Sequence, residues 1–576
     1  MNVIGLNAYH PDAAVAFFKN GRLVWAAEEE RYSRIKHASG FPALALQHCL
    51  KENNLKASDI HYVAISKDPK ANFLQKIIFT LKTRPSFKLL LDRSKAFGKS
   101  ATFREDFLKA LHLDSRDCRA KFLHVEHHLN HAASTFFMSG FQDSAILSID
   151  GLGDFTSTAW GYGSGNHIYI LGKVFFPHSA GFLYTAVTQF LGFHSFGDEY
   201  KVMGLASYGT PRYIDQARRV FKLLPHGQFE LNLEYFLHQH GKAKVKWEGG
   251  KPEQDLLFSH AWSKLFGAAR SPGMAPTQEE MDIAASFQFA LEEIYFHVLN
   301  HLYRVTETPY LCLAGGVAFN CVANGKISAQ TPFKHVYIQP ASGDAGTALG
   351  TAAYASYVVA NQPRHFVMDH AMWGTEGKDE EIETALKKSG IAYEKLGTNQ
   401  LIDKTTQALA AAKVVGWYQG RMEFGPRTLG NRSILADPRI ANIRDLLNEK
   451  IKRREMFRPF APIVLEEKAH EYFNMDCEKS PFMLKVFPVK EEKKKVIPAV
   501  THVDGSARVQ TISQVHQPLV WKLLEAFEKK TGVPVLLNTS FNDHEPIVCT
   551  PQEALDCYLK TKMDVLVLGN YFIHRN

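Results

Sequence analysis

His127 and His131 lie four apart in the stretch Glu126-His127-His128-Leu129-Asn130-His131. If 126–138 is a helix, that spacing puts both imidazoles on one face, one turn apart, where they could hold a single metal ion. His128 stands three residues from His131 and competes with His127 for the role; spacing alone leaves both open. Two carboxylates could complete the set. Asp150 ends the apolar run Ser144-Ala145-Ile146-Leu147-Ser148-Ile149, which reads as a buried strand. Asp344 sits in the Gly-rich turn Ser342-Gly343-Asp344-Ala345-Gly346, after the strand-like Val336-Tyr337-Ile338. Imidazole with carboxylate suits iron, manganese or zinc better than calcium. Unless a fold gathers them, the same four residues are two surface histidines and two turn aspartates.

Three Gly-rich turns could cradle phosphate with their backbone N–H groups, a use that demands glycine because a side chain would block the approach. They are Asp150-Gly151-Leu152-Gly153-Asp154, Ala314-Gly315-Gly316-Val317-Ala318-Phe319-Asn320, and the turn of Gly343 and Asp344. The candidate nucleotide contacts are therefore Gly151, Gly153, Gly315, Gly316, Val317, Asn320 and Gly343. Further on, arginine recurs beside glycine and proline in Gln419-Gly420-Arg421, in Gly425-Pro426-Arg427, in Lys452-Arg453-Arg454 and in Gly505-Ser506-Ala507-Arg508, and Asn538-Thr539-Ser540 follows. Guanidinium forks match phosphate and carbamate oxygens in bidentate fashion, and hydroxyls complete such pockets.

The elements that must position these groups are α/β. Val3–Asn7, Asp12–Phe18 and Gly21–Ala27 read as three strands, with an Asn-Gly hairpin signal at Asn20-Gly21. The same order recurs in Ala145–Gly151, Thr156–Gly163 and Asn166–Gly172, an internal repeat. Gln278–Tyr303 carries helical periodicity. Around Val359 to Lys378 the apolar pattern loosens, and a boundary is expected there, giving domains 1–358 and 359–576. The second half alternates again, with strands at 414–418, 535–538 and 565–568 and helices at 400–412, 441–452 and 516–531.

A chain of 576 residues with 45% hydrophobic and 22% charged residues is ordinary for a globular protein with sizeable cores. No apolar run reaches the ~18 residues of a membrane span, and the chain enters a strand at once, without a signal-peptide pattern. Seven cysteines with no CxxC pair argue against a disulfide framework and against a zinc finger. A cytoplasmic setting, with no membrane partner, is the natural expectation. The net charge of +8 is modest, although Lys82 to Lys121 holds eleven Lys/Arg against five Asp/Glu. Phe87, Phe97, Phe103 and Phe107 fall there at helix-like spacing, which fits core packing better than a nucleic-acid groove. Glu28, Glu29 and Glu30 read as a solvated element end, and the run 490–495 as a solvated loop.

Taken together, His127-x-x-x-His131 with Asp150 and Asp344, the Ala314–Asn320 turn, and Asp198-Glu199-Tyr200-Lys201-Val202-Met203-Gly204 resemble the ATP-dependent O-carbamoyltransferases of nodulation and antibiotic tailoring. So do the opening Leu6-Asn7-Ala8-Tyr9-His10-x-Asp12, the segment Arg34-Ile35-Lys36-His37, and the arginine blocks. The resemblance runs through nearly the whole chain. It implies a duplicated actin/hexokinase/Hsp70-like first domain, shared with the tRNA threonylcarbamoyl-transfer enzymes (Kae1-like), and a YrdC-like α/β second domain. It favours His127 over His128, because the family motif is HxxxH, and it implies iron at His127, His131, Asp150 and Asp344. It implies that carbamoyl phosphate and ATP, with Mg2+, give carbamoyl-adenylate in the second domain, at Arg421, Lys452, Arg454, Arg508 and Ser540. It places His10 and Asp12 beside a small hydroxylated acceptor in the first, although capping of the turn accounts for Asp12 equally well, and Lys36, a further candidate with Arg31, could face the passage between the domains. Carbamoylation of a tRNA base or of a cysteine, and an actin/Hsp70-type ATPase, are the rival expectations.

Overall fold

The computed structural model describes residues 1–83, 102–240, 245–246 and 250–575. Phe87, Phe97, Lys95 and Lys99 of the basic stripe lie outside the described residues. The chain forms two compact units, Met1–Met368 and Asp369–Asn576.

The first unit is a duplication. Apart from two small two-stranded ribbons, its strands are β1 (Asn2–Asn7), β2 (Ala14–Lys19), β3 (Arg22–Glu28), β4 (Tyr62–Ile65), β5 (Lys121–His124), β6 (Asp143–Gly153), β7 (Thr156–Ser164), β8 (His167–Phe175), β9 (Tyr310–Ala314) and β10 (His335–Ile338). They form two five-stranded sheets, ordered β3-β2-β1-β4-β5 and β8-β7-β6-β9-β10. In each, two antiparallel hairpin pairings are followed by two parallel ones. The repeated three-strand order expected from the sequence is thus part of a repeated five-stranded sheet.

The unit's helices include α1 (Ala43–Glu52), α2 (Phe103–Ala110), α3 (His127–Phe136), α4 (Ala180–Phe190), α5 (Gln278–Thr306) and α6 (Ala345–Tyr354). Helix α3 follows the last strand of the first sheet but packs on β6 and β9 of the second; α6 follows β10 and packs on β1 and β2 of the first. The two helices also pack on each other. Alanine, glycine and threonine dominate α6, and this is why they can approach so closely. A Cβ on Gly350 would overlap the Asn130 carbonyl of α3, and one on Gly5 would overlap the Ala348 carbonyl. This crossed pair fixes where the ends of α3 and α6 fall.

Three expectations are corrected here. Glu28 and Glu29 are buried, not solvated. Glu29 accepts the N–H groups of Leu44 and Ala45 at the start of α1, while Glu28 and Arg31 form a buried pair, their side chains 3.5 Å apart. The loop at 490–495 contains a short helix, Glu491–Lys494, with its acids in the first turn and its lysines in the last, as the helix dipole favours. The chain divides after Met368, later than 358. Residues up to 368 are strapped to the first unit by Arg364, whose guanidinium lies 4.3 Å over the Phe136 ring and donates to main-chain carbonyls there, and by the Met368 N–H to the Met138 carbonyl. Phe103 and Phe107 are buried, as their spacing predicted.

In the second unit the strands are β11 (Met372–Glu376), β12 (Glu394–Lys395), β13 (Val415–Tyr418), β14 (Arg421–Glu423), β15 (Arg432–Ala436), β16 (Ala461–Leu465), β17 (Val486–Pro488), β18 (Ser506–Arg508), β19 (Gln510–Ile512), β20 (Val535–Ser540), β21 (Val565–Leu568) and β22 (Tyr571–His574). Eight of them make one mixed sheet, β12-β22-β21-β13-β15-β20-β16-β19. Helices α7 (Thr398–Ala410), α8 (Ile443–Leu446), α9 (Pro518–Thr531) and α10 (Pro551–Lys560) accompany it. The expected helix 441–452 is α-helical only over α8. It widens into a π-turn over Leu447–Ile451, an irregularity often seen at functional sites, and delivers Lys452.

Among the described residues, no helix is long and apolar enough to cross a membrane. All seven cysteines are free thiols.

Candidate metal centre and anion site

The first turn of α3 is fixed by carboxylates. Glu126 caps it by accepting the Leu129 N–H at 2.7 Å and is itself held by Lys173 at 3.1 Å. Asp154 accepts the N–H groups of His127 and Asp68. One turn apart, the Nε2 atoms of His127 and His131 face each other at 3.1 Å. His128 points elsewhere, between the Ser148 hydroxyl and the Thr156 carbonyl, and burial followed by the charge of His127 pulls it down to about 3. It is a neutral structural residue, which decides between His127 and His128.

Asp150 enters from β6 at an irregularity where the pairing with β7 shifts register between Ile149 and Gly153. Such a bulge re-aims a side chain. One carboxylate oxygen accepts the Gly316 N–H at 2.9 Å; the other lies 3.3 Å from each histidine Nε2. Asp344 precedes α6 and makes no cap hydrogen bond, so its carboxylate is left to face the histidines, at 3.5 and 3.6 Å.

These separations test the fit to a metal. Four ligand atoms, each ~2.1 Å from one centre, stand roughly 3–3.4 Å from one another in tetrahedral or octahedral arrangement. Five of the six pairs here span 3.1 to 3.6 Å, and all four atoms lie within 4.8 Å of one another. Both Nδ1 atoms are buried without a protein partner, so each ring makes its hydrogen-bonding contacts through Nε2 alone. Burial opposes a charged His127, yet the bond to Asp150 and the charges of Asp344 and Asp150 prevail and lift it to about 9; His131 is lifted too. Against its own burial, Asp150 is held well below the usual carboxylate range by the two imidazoles, while burial and the charge of Asp150 raise Asp344. Lone pairs and charge thus converge on a point that protons or one cation must share. The residues fit a divalent transition metal.

His10, from the turn after β1, lies with its ring 5.4 Å from that of His127. Burial, then the charges of Lys67 and His127, keep it neutral, and its Nε2 is buried without a protein partner. Asp12, two residues on, pairs at 2.8 Å with His37, a residue not singled out from the sequence. Burial opposes the charge on His37, but Asp12 raises it. Lys36 itself is exposed.

The glycine turns receive different duties from those expected. A Cβ on Gly153 would overlap the His127 ring, so that glycine makes room for this imidazole. The N–H groups of Gly315 and Gly316 are spent on the Ser342 carbonyl and on Asp150. The Asn320 amide is spent on exchanging hydrogen bonds with the Gln288 side chain and on accepting the Ala323 N–H as a helix N-cap. Val317 is buried, Gly343 approaches the Phe319 ring, and Gly151 faces Phe182. The turns build the cluster of His127, His131, Asp150 and Asp344 first.

In the second unit, Lys452 is buried, and its ammonium touches the carbonyl and hydroxyl of Ser540 at 2.9 and 3.2 Å and the carbonyl and side-chain oxygen of Asn542 at 2.7 and 2.6 Å. Burial, then the neighbouring Arg454, push its pKa well down. Arg454 donates to Asn448 and lies 4.6 Å over Phe460. Two cations with a hydroxyl, one cation short of compensating charge, form a place where an anion would be stabilised. Arg421 is elsewhere: its guanidinium donates to the carbonyls of Trp373 and Gly374, tying β14 to β11. Arg508 ends β18, opposite Val486.

The family model described as Carbamoyltransferase N-terminus matches residues 2–353, and that of the Carbamoyltransferase C-terminus matches 406–575. The chain belongs to the carbamoyltransferase family. Nodulation protein NolNO of Sinorhizobium fredii is 38% identical over 99% of this chain and 80% of its own length. The 3'-hydroxymethylcephem-O-carbamoyltransferase of Amycolatopsis lactamdurans is 40% identical over 46% of this chain and 48% of its own. Among solved structures, the ROK hexokinase of Thermus thermophilus covers 62% of this chain and 98% of its own, with a TM-score of 0.29 and 13% identity.

Within this carbamoyltransferase, Gly153 offers a local test. Gly153→Ala is expected to push the His127 ring out of register, costing about 1–3 kcal/mol of stability from overpacking and weakening metal retention. Urea unfolding and metal content of the variant measure both. A variant with unchanged metal content would show that the ring tolerates displacement.

Proposed function

We propose that the protein is an O-carbamoyltransferase that consumes ATP and carbamoyl phosphate and carbamoylates a hydroxyl of a small molecule. The observation that carries this reading is the convergence of His127, His131, Asp150 and Asp344 in a chain of this family. The second unit, read as YrdC-like, forms carbamoyl-adenylate. Lys452, Arg454 and Ser540, with Arg508, hold the phosphate of carbamoyl phosphate. Water cleaves carbamoyl phosphate to inorganic phosphate and carbamate, and a carbamate oxygen then attacks the α-phosphorus of ATP as the bond to pyrophosphate breaks; Mg2+ would offset the charge there.

In the first unit, a divalent transition metal held by the four residues, iron by family resemblance, supplies Lewis-acid stabilisation to phosphate and carbamoyl oxygens. Neutral His10 directs its unpartnered Nε2 toward the adenylate. The acceptor oxygen forms a bond to the carbamoyl carbon, the carbon–oxygen bond to AMP breaks, and the hydroxyl proton passes to Asp12, which His37 orients. Glycine turns around Gly151 and Gly343 leave room for the nucleotide. A reducing, cytoplasmic setting suits the free thiols.

Incubation with ATP and carbamoyl phosphate tests the reading. AMP formation that requires both, and an acceptor, is expected; ADP release with ATP alone would favour an ATPase. Nucleic acid is not the expected partner. Glu105, Asp106, Asp114 and Asp117 interrupt the basic stripe. Bulk tRNA binding should be weak and fall steeply between ~50 and ~200 mM salt, and Arg104→Ala should leave transfer unchanged. Tight binding that survives high salt, or a carbamoylated nucleoside in digested RNA, would contradict this.

A further inference from the structure

We propose that the second unit carries a divalent transition-metal site of its own, formed by Asp369, His370 and His516. One ligand atom from each lies within 4.8 Å of the other two. Two of the three come from the first residues of the unit and the third from the loop before α9, far apart in sequence, so a shared cation would clip the entry of the unit to that loop. The carboxylate of Asp369 approaches the Nε2 of His516 at 3.2 Å. The rings of His370 and His516 lie 5.5 Å apart and tilted by 41°.

The third ligand is held in place. His370 stacks on the Trp373 indole, with centroids 4.4 Å apart and planes within 16°, and the Trp373 N–H donates to the His370 carbonyl at 2.9 Å. The Met372 N–H lies 3.3 Å from His370 Nδ1, at the long end for a hydrogen bond, so stacking is the stronger restraint. The cluster opens into a cleft lined by Glu466, Lys479, Thr511 and Ser513, which admits water as a further ligand.

Two imidazoles and one carboxylate with open positions is a donor set for zinc, cobalt, nickel or ferrous ions, and a poor one for calcium or magnesium. None of the three residues belongs to the anion site of Lys452, Arg454 and Ser540. A cation here therefore serves the folded unit by binding the native state and not the unfolded chain.

The test uses the full chain with the first unit's centre disabled, so that the two sites are read apart. His127→Ala combined with Asp344→Ala is the background. After chelation and buffer exchange, titration with Zn2+ followed by calorimetry and metal analysis should find one ion per chain at micromolar metal, and Zn2+ should raise the melting temperature of this background reversibly with EDTA. Adding His516→Ala should weaken binding by about 100-fold or more and abolish the thermal shift. Asp369→Asn, which keeps shape and hydrogen bonding, serves should the histidine variant misfold, and Co2+ absorption in the background reports nitrogen ligation directly. A background that binds no ion, binds only at millimolar metal, or binds equally with His516→Ala or Asp369→Asn overturns the proposal.

Discussion

His127→Ala and Asp344→Ala each lose the first unit's metal and, with it, carbamoyl transfer, by at least about 100-fold in metal affinity. Each substitution removes one donor from a set in which each histidine Nε2 lies 3.1 to 3.6 Å from the other three donors, and leaves the others with charge and lone pairs directed at the same point. The close approach of α3 and α6 rests on Gly350 against the Asn130 carbonyl, which neither substitution touches, so far-ultraviolet circular dichroism should change little. His128→Ala gives the converse. It strands the Ser148 hydroxyl and the Thr156 carbonyl, costing about 1–3 kcal/mol, yet it keeps the metal. Metal analysis of the three purified variants in parallel checks this. Unchanged metal in both ligand variants would mean that the four residues are not the centre.

The second large effect is a division of labour. Asp150→Ala disables the metal centre but leaves pyrophosphate release dependent on carbamoyl phosphate, because the chemistry of Lys452, Arg454 and Ser540 resides in the other unit. Lys452→Ala and Arg508→Ala abolish that release, while metal content stays at the wild-type level. Lys452 carries the sharper expectation. Its ammonium is buried, and a bound anion restores the charge that burial disfavours; an alanine there removes both the donor and the driving force. Pyrophosphate release lost equally in the Asp150 and Lys452 variants would show that the two units do not act separately.

The hairpin strands of the duplicated half were legible because hydrophobic alternation repeats with the same punctuation, whereas β4, β5 and β9, which complete the two sheets, were not read from the sequence. The i,i+4 histidines were legible for the same local reason. Their union with Asp150 and Asp344 was only a conjecture until α3 and α6 crossed, since that contact depends on Gly350 meeting the Asn130 carbonyl, a long-range fit no local pattern encodes. Glycine was also read too simply. Gly153 and Gly316 serve the histidine ring and the Asp150 carboxylate, uses that a phosphate cradle mimics in sequence. His37 escaped notice because its partner, Asp12, is 25 residues away across a β-hairpin. Arg421 was grouped with the anion-binding residues by the company of its glycine and proline neighbours, but main-chain carbonyls claim its guanidinium. Glu29 looked solvated beside two other glutamates, and only the N-terminus of α1 explains its burial.

The most direct measurement is the fate of labelled carbamoyl phosphate. The protein, with ATP, [13C]carbamoyl phosphate and an extract of its own cells, is expected to produce AMP and pyrophosphate together with a small organic product that has gained one labelled CONH2 in place of a hydroxyl hydrogen. The product should be absent with Asp344→Ala. Hydrolysis of ATP to ADP without any labelled small molecule, or label found only in RNA or protein, would contradict the account.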